Sequence, residues 1–299
     1  MSKSPSDPRL VGFVLLATTV LGWGLNWPAV KVLLLEWPPF FSRGTAGVTA
    51  ALLLGAIALW RGESLTLAPR FWPRLGFAAF TNVFAWMGFG TLAMKYLPIS
   101  EAALLAYTMP IWTMLFAWPV LGERPTLRGV AALVLAFAGL AVLFSGQSLA
   151  FDETKLIGVT TALACAILFA FGSVTARTPI PLQRFGLVAW QLLLGCVPMV
   201  IIGLIFEHPD VGALSPRGWA LMLYMTLGPM AIAYVTWFGA LARLKPAAAT
   251  TGSLGVPVVG VCAGALFLGD PFGAREIVSL VLTLAGVALA LRREPPLVE

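Results

Sequence analysis

Residues 108–144 read TMPIWTMLFAWPVLGERPTLRGVAALVLAFAGLAVLF, and residues 255–291 read GVPVVGVCAGALFLGDPFGAREIVSLVLTLAGVALAL. Laid together without a gap, Pro110 falls on Pro257, Leu121-Gly122 on Leu268-Gly269 and Glu123 on Asp270. Arg128 falls on Arg275, Leu133-Val134-Leu135 on Leu280-Val281-Leu282, and Ala138-Gly139 on Ala285-Gly286. Each copy is an apolar span with an early proline, a Gly-acid turn and a second apolar span. The chain therefore reads as two related halves, residues 1–150 and 151–299.

Composition says what surrounds those spans. Of the 299 residues, 59% are hydrophobic and 11% charged, against about 25% charged in soluble globular chains. So few charges cannot cover a water-facing surface, and lipid must cover much of it. The apolar runs are about 20 residues long, which suits all-α membrane spans; the ~10-residue alternating segments of a barrel are absent. The net charge of +6 sits in short loops, where it reads as membrane topology rather than nucleic-acid binding. Cys165, Cys196 and Cys262 lie inside apolar runs and read as small core residues. Lys3 and Arg9 precede an apolar run that continues past Asn26 without a small-x-small cleavage site, so the first helix is expected to be retained.

Ten spans can be marked, at about 10–33, 38–60, 72–95, 99–121, 126–146, 156–177, 182–206, 217–242, 246–268 and 272–292. Pro38-Pro39, Pro98, Pro125, Pro181, Pro246 and Pro271 stand at span starts, where a missing N–H is harmless. Of the 19 Lys and Arg, six (Lys31, Arg43, Lys95, Lys155, Arg217 and Arg275) fall on one side, leaving 13 on the side of the termini. The excess places both termini in the cytoplasm. The two copies of the repeat are five spans apart, an odd number, so the five-helix halves are inverted relative to each other. Leu10-Val11-Gly12 and Leu156-Ile157-Gly158 open the two halves alike, and Leu97-Pro98 corresponds to Lys245-Pro246. Inverted repeats are the architecture of secondary transporters, with the site near the midplane between them.

Span 1 carries Trp23-Gly24-Leu25-Asn26-Trp27-Pro28-Ala29-Val30-Lys31, similar to a W-G-x-N-[FW]-x-x-x-K run, and Leu121-Gly122-Glu123-Arg124-Pro125 is followed by Gly129 and Gly139. With the Pro98 and Pro110 contexts, these residues resemble the EamA-type branch of the drug/metabolite transporter superfamily over nearly the whole chain. Within it the chain most resembles bacterial inner-membrane exporters of amino acids, aromatic ones included. The second half departs from the pattern: Asp270-Pro271 replaces Glu-Arg, and residues 169–173 read FAFGS where W-G-x-N would stand. Roles are therefore not carried over by symmetry.

Candidate site residues come from polar and aromatic groups in mid-span. Asn26 and Asn82 need hydrogen-bond partners there, and each reads either as a clamp to a neighbouring helix or as a cavity wall. Pro110 and Pro257 free the carbonyls of Ala106 and Ser253 at equivalent inverted places; they either kink helices for packing or offer those carbonyls to a substrate ammonium. Trp37, Trp60, Trp72 and Trp219 fall near span ends as interfacial anchors. Trp23, Trp86, Trp112, Trp190 and Trp237, with Tyr107 and Tyr234, are the mid-span set from which an apolar cavity would be lined. Spans 1, 3, 4, 6, 8 and 9 are expected around that cavity, with spans 5 and 10 as peripheral supports.

Enzyme chemistry finds no support. His208 is the single histidine, so no zinc pair, H-E-x-x-H or catalytic triad can form, and no P-loop occurs. No cofactor, metal or nucleic-acid partner is expected; the partners are lipid and a small-molecule substrate. The reading is an inner-membrane exporter of amino acids or related metabolites working by alternating access. A multidrug exporter of aromatic cations and a non-transporting membrane assembly protein are the alternatives. Glu36, Glu123, Asp152, Glu153, Glu207, Asp210 and Asp270 fall in loops or at span ends; Glu101, with Lys95 as its expected partner, is the candidate for proton coupling. A central site without charge would suit a zwitterion moving by facilitated diffusion.

Overall fold

The structure, a computed structural model, describes residues 8–122, 126–145, 153–175, 179–244 and 252–291. Among these every regular element is helical. The helices are α1 (Pro8–Leu33), α2 (Pro39–Trp60), α3 (Pro69–Tyr96), α4 (Ile99–Leu121), α5 (Leu127–Phe144), α6 (Glu153–Thr175), α7 (Arg184–Glu207), α8 (Pro216–Trp237, continuing to Leu241), α9 (Gly255–Leu268) and α10 (Ala274–Leu291). Seven of them, α1 to α4 and α6 to α8, are long and apolar enough to cross a membrane. Within the described residues α9 begins at Gly255; its expected start, with Pro246, lies outside them, as do Glu123, Arg124, Pro125, Asp152 and Lys245. Pro39 and Pro216 open α2 and α8, and Pro98 precedes α4, where proline costs no hydrogen bond.

The glycines that end α4 and α9 are alike. Gly122 and Gly269 end α4 and α9 at φ 75° and 69°, the left-handed region glycine enters without a Cβ penalty.

Helix pairs recur with the repeat. The most extensive contacts are α2 with α7 and α5 with α10; α1 packs on α8 and α9, as α6 packs on α3 and α4, and α4 meets α9. Replacing both members of each pair by their counterparts five helices on, with α1 following α10, maps this set onto itself. Apolar side chains gain nothing from leaving lipid for a neighbouring helix, so close backbone approach must hold such pairs. Gly12 sits against Leu244, whose Cγ would lie 2.8 Å from an added Cβ, and Gly158 sits against Leu97 at 2.6 Å. In the α5–α10 pair, a Cβ on Gly286 would lie 2.6 Å from Ala132 O and 2.9 Å from Ala136 N; one on Gly139 would strike Thr283 Oγ1 and the Ser279 carbonyl.

Four carboxylates close helix starts across the halves. Glu207, the last residue of α7, accepts from Phe40 N and Phe41 N of α2 at 3.1 and 2.9 Å. Glu63, after α2, accepts from Gly186 N of α7 at 3.2 Å. Asp270 accepts from Ile99 N of α4 at 2.8 Å, and Glu36 takes Ser215 N and Oγ, at the N-cap of α8, at 2.8 and 2.7 Å. Each satisfies a donor that its helix cannot, beside the positive end of the helix dipole. Lys31 does the converse, donating to Met94 O and Leu97 O at the end of α3, both at 2.6 Å.

Two outcomes follow for stability in detergent. Gly76→Ala, in α3 with nothing within 4 Å of the new Cβ, should gain about 1 kcal/mol of helix propensity. Gly286→Ala should instead lose about 1–3 kcal/mol, because backbone atoms cannot move aside; thermal melts of the two variants compare them. Ser215, with a smaller contribution from Arg217, holds the Glu36 carboxyl below its ordinary 4.5. Its stabilisation is present in full above that value and is lost as pH falls through the depressed one. The wild-type melting temperature should therefore drop more steeply below pH 4.5 than that of Glu36→Gln.

Candidate functional site

Several helices lose their regular ladder around one space. Pro28 has no N–H for the Gly24 carbonyl, and α1 breaks at Leu25 between Pro8–Gly24 and Asn26–Leu33. Pro110 does the same to Ala106, and α4 breaks at Tyr107 and Thr108. Leu254 interrupts the chain ahead of Pro257 at the equivalent place. In α3 and α8, residues Phe80–Phe89 and Gly228–Ile232 widen into π-helical turns, a geometry associated with functional sites.

These breaks surround a cavity of about 210 Å³. Trp23, Asn26 and Trp27 of α1 line it, with Asn82, Trp86 and Gly90 of α3, Ala106 and Tyr107 of α4, and Cys165 and Phe169 of α6. Pro229, Met230 and Tyr234 of α8, together with Ser253 and Val256, complete the far wall. The expected six-span lining is what surrounds the cavity, joined by one residue of α2, Arg43. Among the described residues α5 and α10 contribute none of its lining.

The rings form a connected wall. Trp86 packs against Phe169 and Tyr107, with centroids 5.0 and 6.0 Å apart, and Tyr107 lies 6.3 Å from Trp27. Across the cavity Trp23 meets Tyr234 at 5.6 Å and donates from Nε1 to Pro229 O at 3.0 Å. The Trp23 indole thus presents its face while its N–H stays bonded.

Of the ten residues singled out from the sequence, Trp23, Asn26, Asn82, Trp86, Tyr107, Tyr234 and Ser253 line the cavity. Pro110, Pro257 and Trp237 do not. The prolines act one turn earlier, by exposing backbone at Ala106 and Ser253; Trp237 stands behind Trp23 at 5.7 Å. Trp112 and Trp190 also lie elsewhere: their Nε1 atoms donate to Thr108 Oγ1 at 3.1 Å and to Leu65 O at 2.9 Å.

Two expectations about charge are corrected. Glu101, buried in α4, pairs with Lys155 of α6 at 3.5 Å and not with Lys95, whose ammonium lies over the Tyr96 ring at 5.6 Å. Lys95 stands in the last turn of α3 and points outward, whereas α6 packs directly on α4. The cavity is also not free of charge. Arg43, assigned by topology to the outer side, sits one turn inside α2 and is 6% exposed. Its Nη1 donates to Asn26 Oδ1 at 3.3 Å, and its Nε has no hydrogen-bond partner. An arginine five residues into a helix that starts at a proline is the sequence signal for this inward placement.

The family model described as "EamA-like transporter family" matches residues 10–145 and 156–292. An uncharacterized transporter, YvbV, of Bacillus subtilis is 27% identical over 94% of this chain and 92% of its own. The aromatic amino acid exporter YddG of Ancylobacter novellus is 28% identical over 97% of this chain and 99% of its own. A crystal structure with 24% identity superimposes with a TM-score of 0.65, covering 96% of this chain and 97% of the other.

Proposed function

The chain belongs to the EamA-like transporter family, and from that premise we propose that it is a secondary transporter exporting amino acids or related small metabolites from a bacterial cell. It is a multi-pass membrane protein. The observation that carries the substrate reading is the aromatic cavity enclosed by broken helices of both halves. A cavity of about 150 Å³ holds benzene, so about 210 Å³ suits one aromatic ring with a short polar tail. The naming of YddG as an aromatic amino acid exporter agrees with that size. Arg43 in the lining disfavours the multidrug reading, because a fixed cation repels cationic drugs.

The transport cycle follows from the architecture. Ten spans in two inverted five-helix halves, with both termini cytoplasmic, place the cavity on an axis lying in the membrane plane. The pairing of helices, unchanged when each is replaced by its counterpart five later, supports that symmetry. Rocking about the glycine-packed pairs would open the cavity to either face in turn, and facilitated diffusion needs no coupled ion.

In proteoliposomes with equal pH on both sides, labelled L-phenylalanine should leave through the protein and stay inside protein-free vesicles. Trp86→Ala or Tyr107→Ala should each raise the half-saturating concentration roughly tenfold, as loss of an aromatic contact implies. Trp237→Ala, one layer behind, should change it less. Unaltered flux in both cavity variants would move the site elsewhere. Flux that requires a pH step and vanishes in Glu101→Gln would replace facilitated diffusion by proton exchange.

Orientation has its own check. Single cysteines at Leu127 and Phe272, both exposed at span ends, in a background lacking Cys165, Cys196 and Cys262, should react with an impermeant thiol reagent from opposite faces. Labelling from one face would exclude inverted halves.

A further inference from the structure

We infer that Arg43 is the carboxylate anchor of the cavity, and that the site recognises an aromatic monocarboxylate through this group without requiring an α-ammonium. The inference deepens the export reading above and rests on it for the substrate's presence in the cavity. A guanidinium does not lose its proton in a protein, so burial cannot neutralise Arg43. A cation so placed is costly unless an anion or bound dipoles answer it.

The described surroundings supply little. Asn26 Oδ1 at 3.3 Å is the hydrogen-bond partner, Nε is buried with none, and Cys196 and Tyr234 are the other groups within electrostatic reach. Glu207 reaches the same end of α2 but engages the N–H groups of Phe40 and Phe41. Arg43 also lies near the start of α2, where the helix dipole adds positive potential. Among the described lining residues there is no Asp or Glu.

A carboxylate suits Arg43 in charge and in geometry, since the planar fork of a guanidinium donates to two oxygens side by side. The ring attached to it would lie against Trp23, Trp86 and Tyr107. An ammonium finds no carboxylate in the lining and the unfavourable field of Arg43, so dipoles alone would hold it. Two consequences distinguish this site from a general amino-acid pocket: removing the ammonium costs little, and removing the carboxylate abolishes binding.

The test uses purified protein in detergent and reads the intrinsic fluorescence of the cavity tryptophans during titration with L-phenylalanine, 3-phenylpropanoate and 2-phenylethylamine. The two carboxylates should bind the wild type with similar affinity, and the amine should not compete with them. Arg43→Gln should weaken both carboxylates by roughly 10- to 100-fold, the range for loss of hydrogen bonds to a charged group. Arg43→Lys should fall between, keeping the charge and losing the fork. Melting temperatures of both variants separate a binding defect from unfolding, and the wild-type series stands even if neither variant folds. Binding of the amine as tight as that of the carboxylates, no binding of either carboxylate, or full affinity in a folded Arg43→Gln overturns the inference. Arg43-dependent binding without flux in vesicles would overturn export and leave the anchor standing; flux of phenylalanine unchanged in Arg43→Gln would do the reverse.

Discussion

The structure depends on how helix ends are satisfied. A helix start leaves backbone N–H groups without partners, and at a membrane face those groups need an acceptor that also suits the helix dipole. Here Glu36, Glu63, Glu207 and Asp270 supply it, each to a helix of the other half. The same bonds therefore tie the halves together. Glu63 and Glu207 do so reciprocally, one following α2 and closing α7, the other ending α7 and closing α2. Lys31 complements them at the end of α3. With the acids engaged at helix ends, the cavity is left without a carboxylate among its described lining, and Arg43 sets its field.

Inside the bundle the opposite arrangement operates. Pro28 and Pro110 remove ladder hydrogen bonds within α1 and α4, and π-helical turns loosen α3 and α8. Irregular backbone at membrane depth survives only against protein or a water-filled space. Breaks in several helices around one space therefore create a cavity rather than a set of independent kinks. Aromatic side chains then occupy the space between the broken segments and pack ring against ring.

The outer pairs show what the cavity helices are not. α5 and α10 meet through Gly139 and Gly286, with Ser279 and Thr283 buried between them. Such a pair needs small residues at the seam and apolar ones outside, and it has no reason to carry mid-helix amides. It is continuous where the central helices are broken, so it can bear on the rest as a rigid support.

Membrane class, all-helical character and the internal duplication were legible in the sequence because each is a matter of local composition or repetition. Apolar runs near 20 residues, prolines at helix starts and a 37-residue repeat do not depend on what lies across the bundle. The mid-span amides and aromatics were legible as a set for the same reason, since a polar group in such a run must face something. Which of them face the cavity was decided by packing: Trp23 and Trp86 line it, while Trp112, Trp190 and Trp237 turn to other partners. Tertiary structure also decided the charges. Lys155 rather than Lys95 meets Glu101 because α6 lies on α4, and Arg43 enters the cavity because α2 begins at Pro39 and carries it a turn inward. A long charged side chain can reach in either direction from a helix end, and only the arrangement of neighbouring helices determines which one it takes.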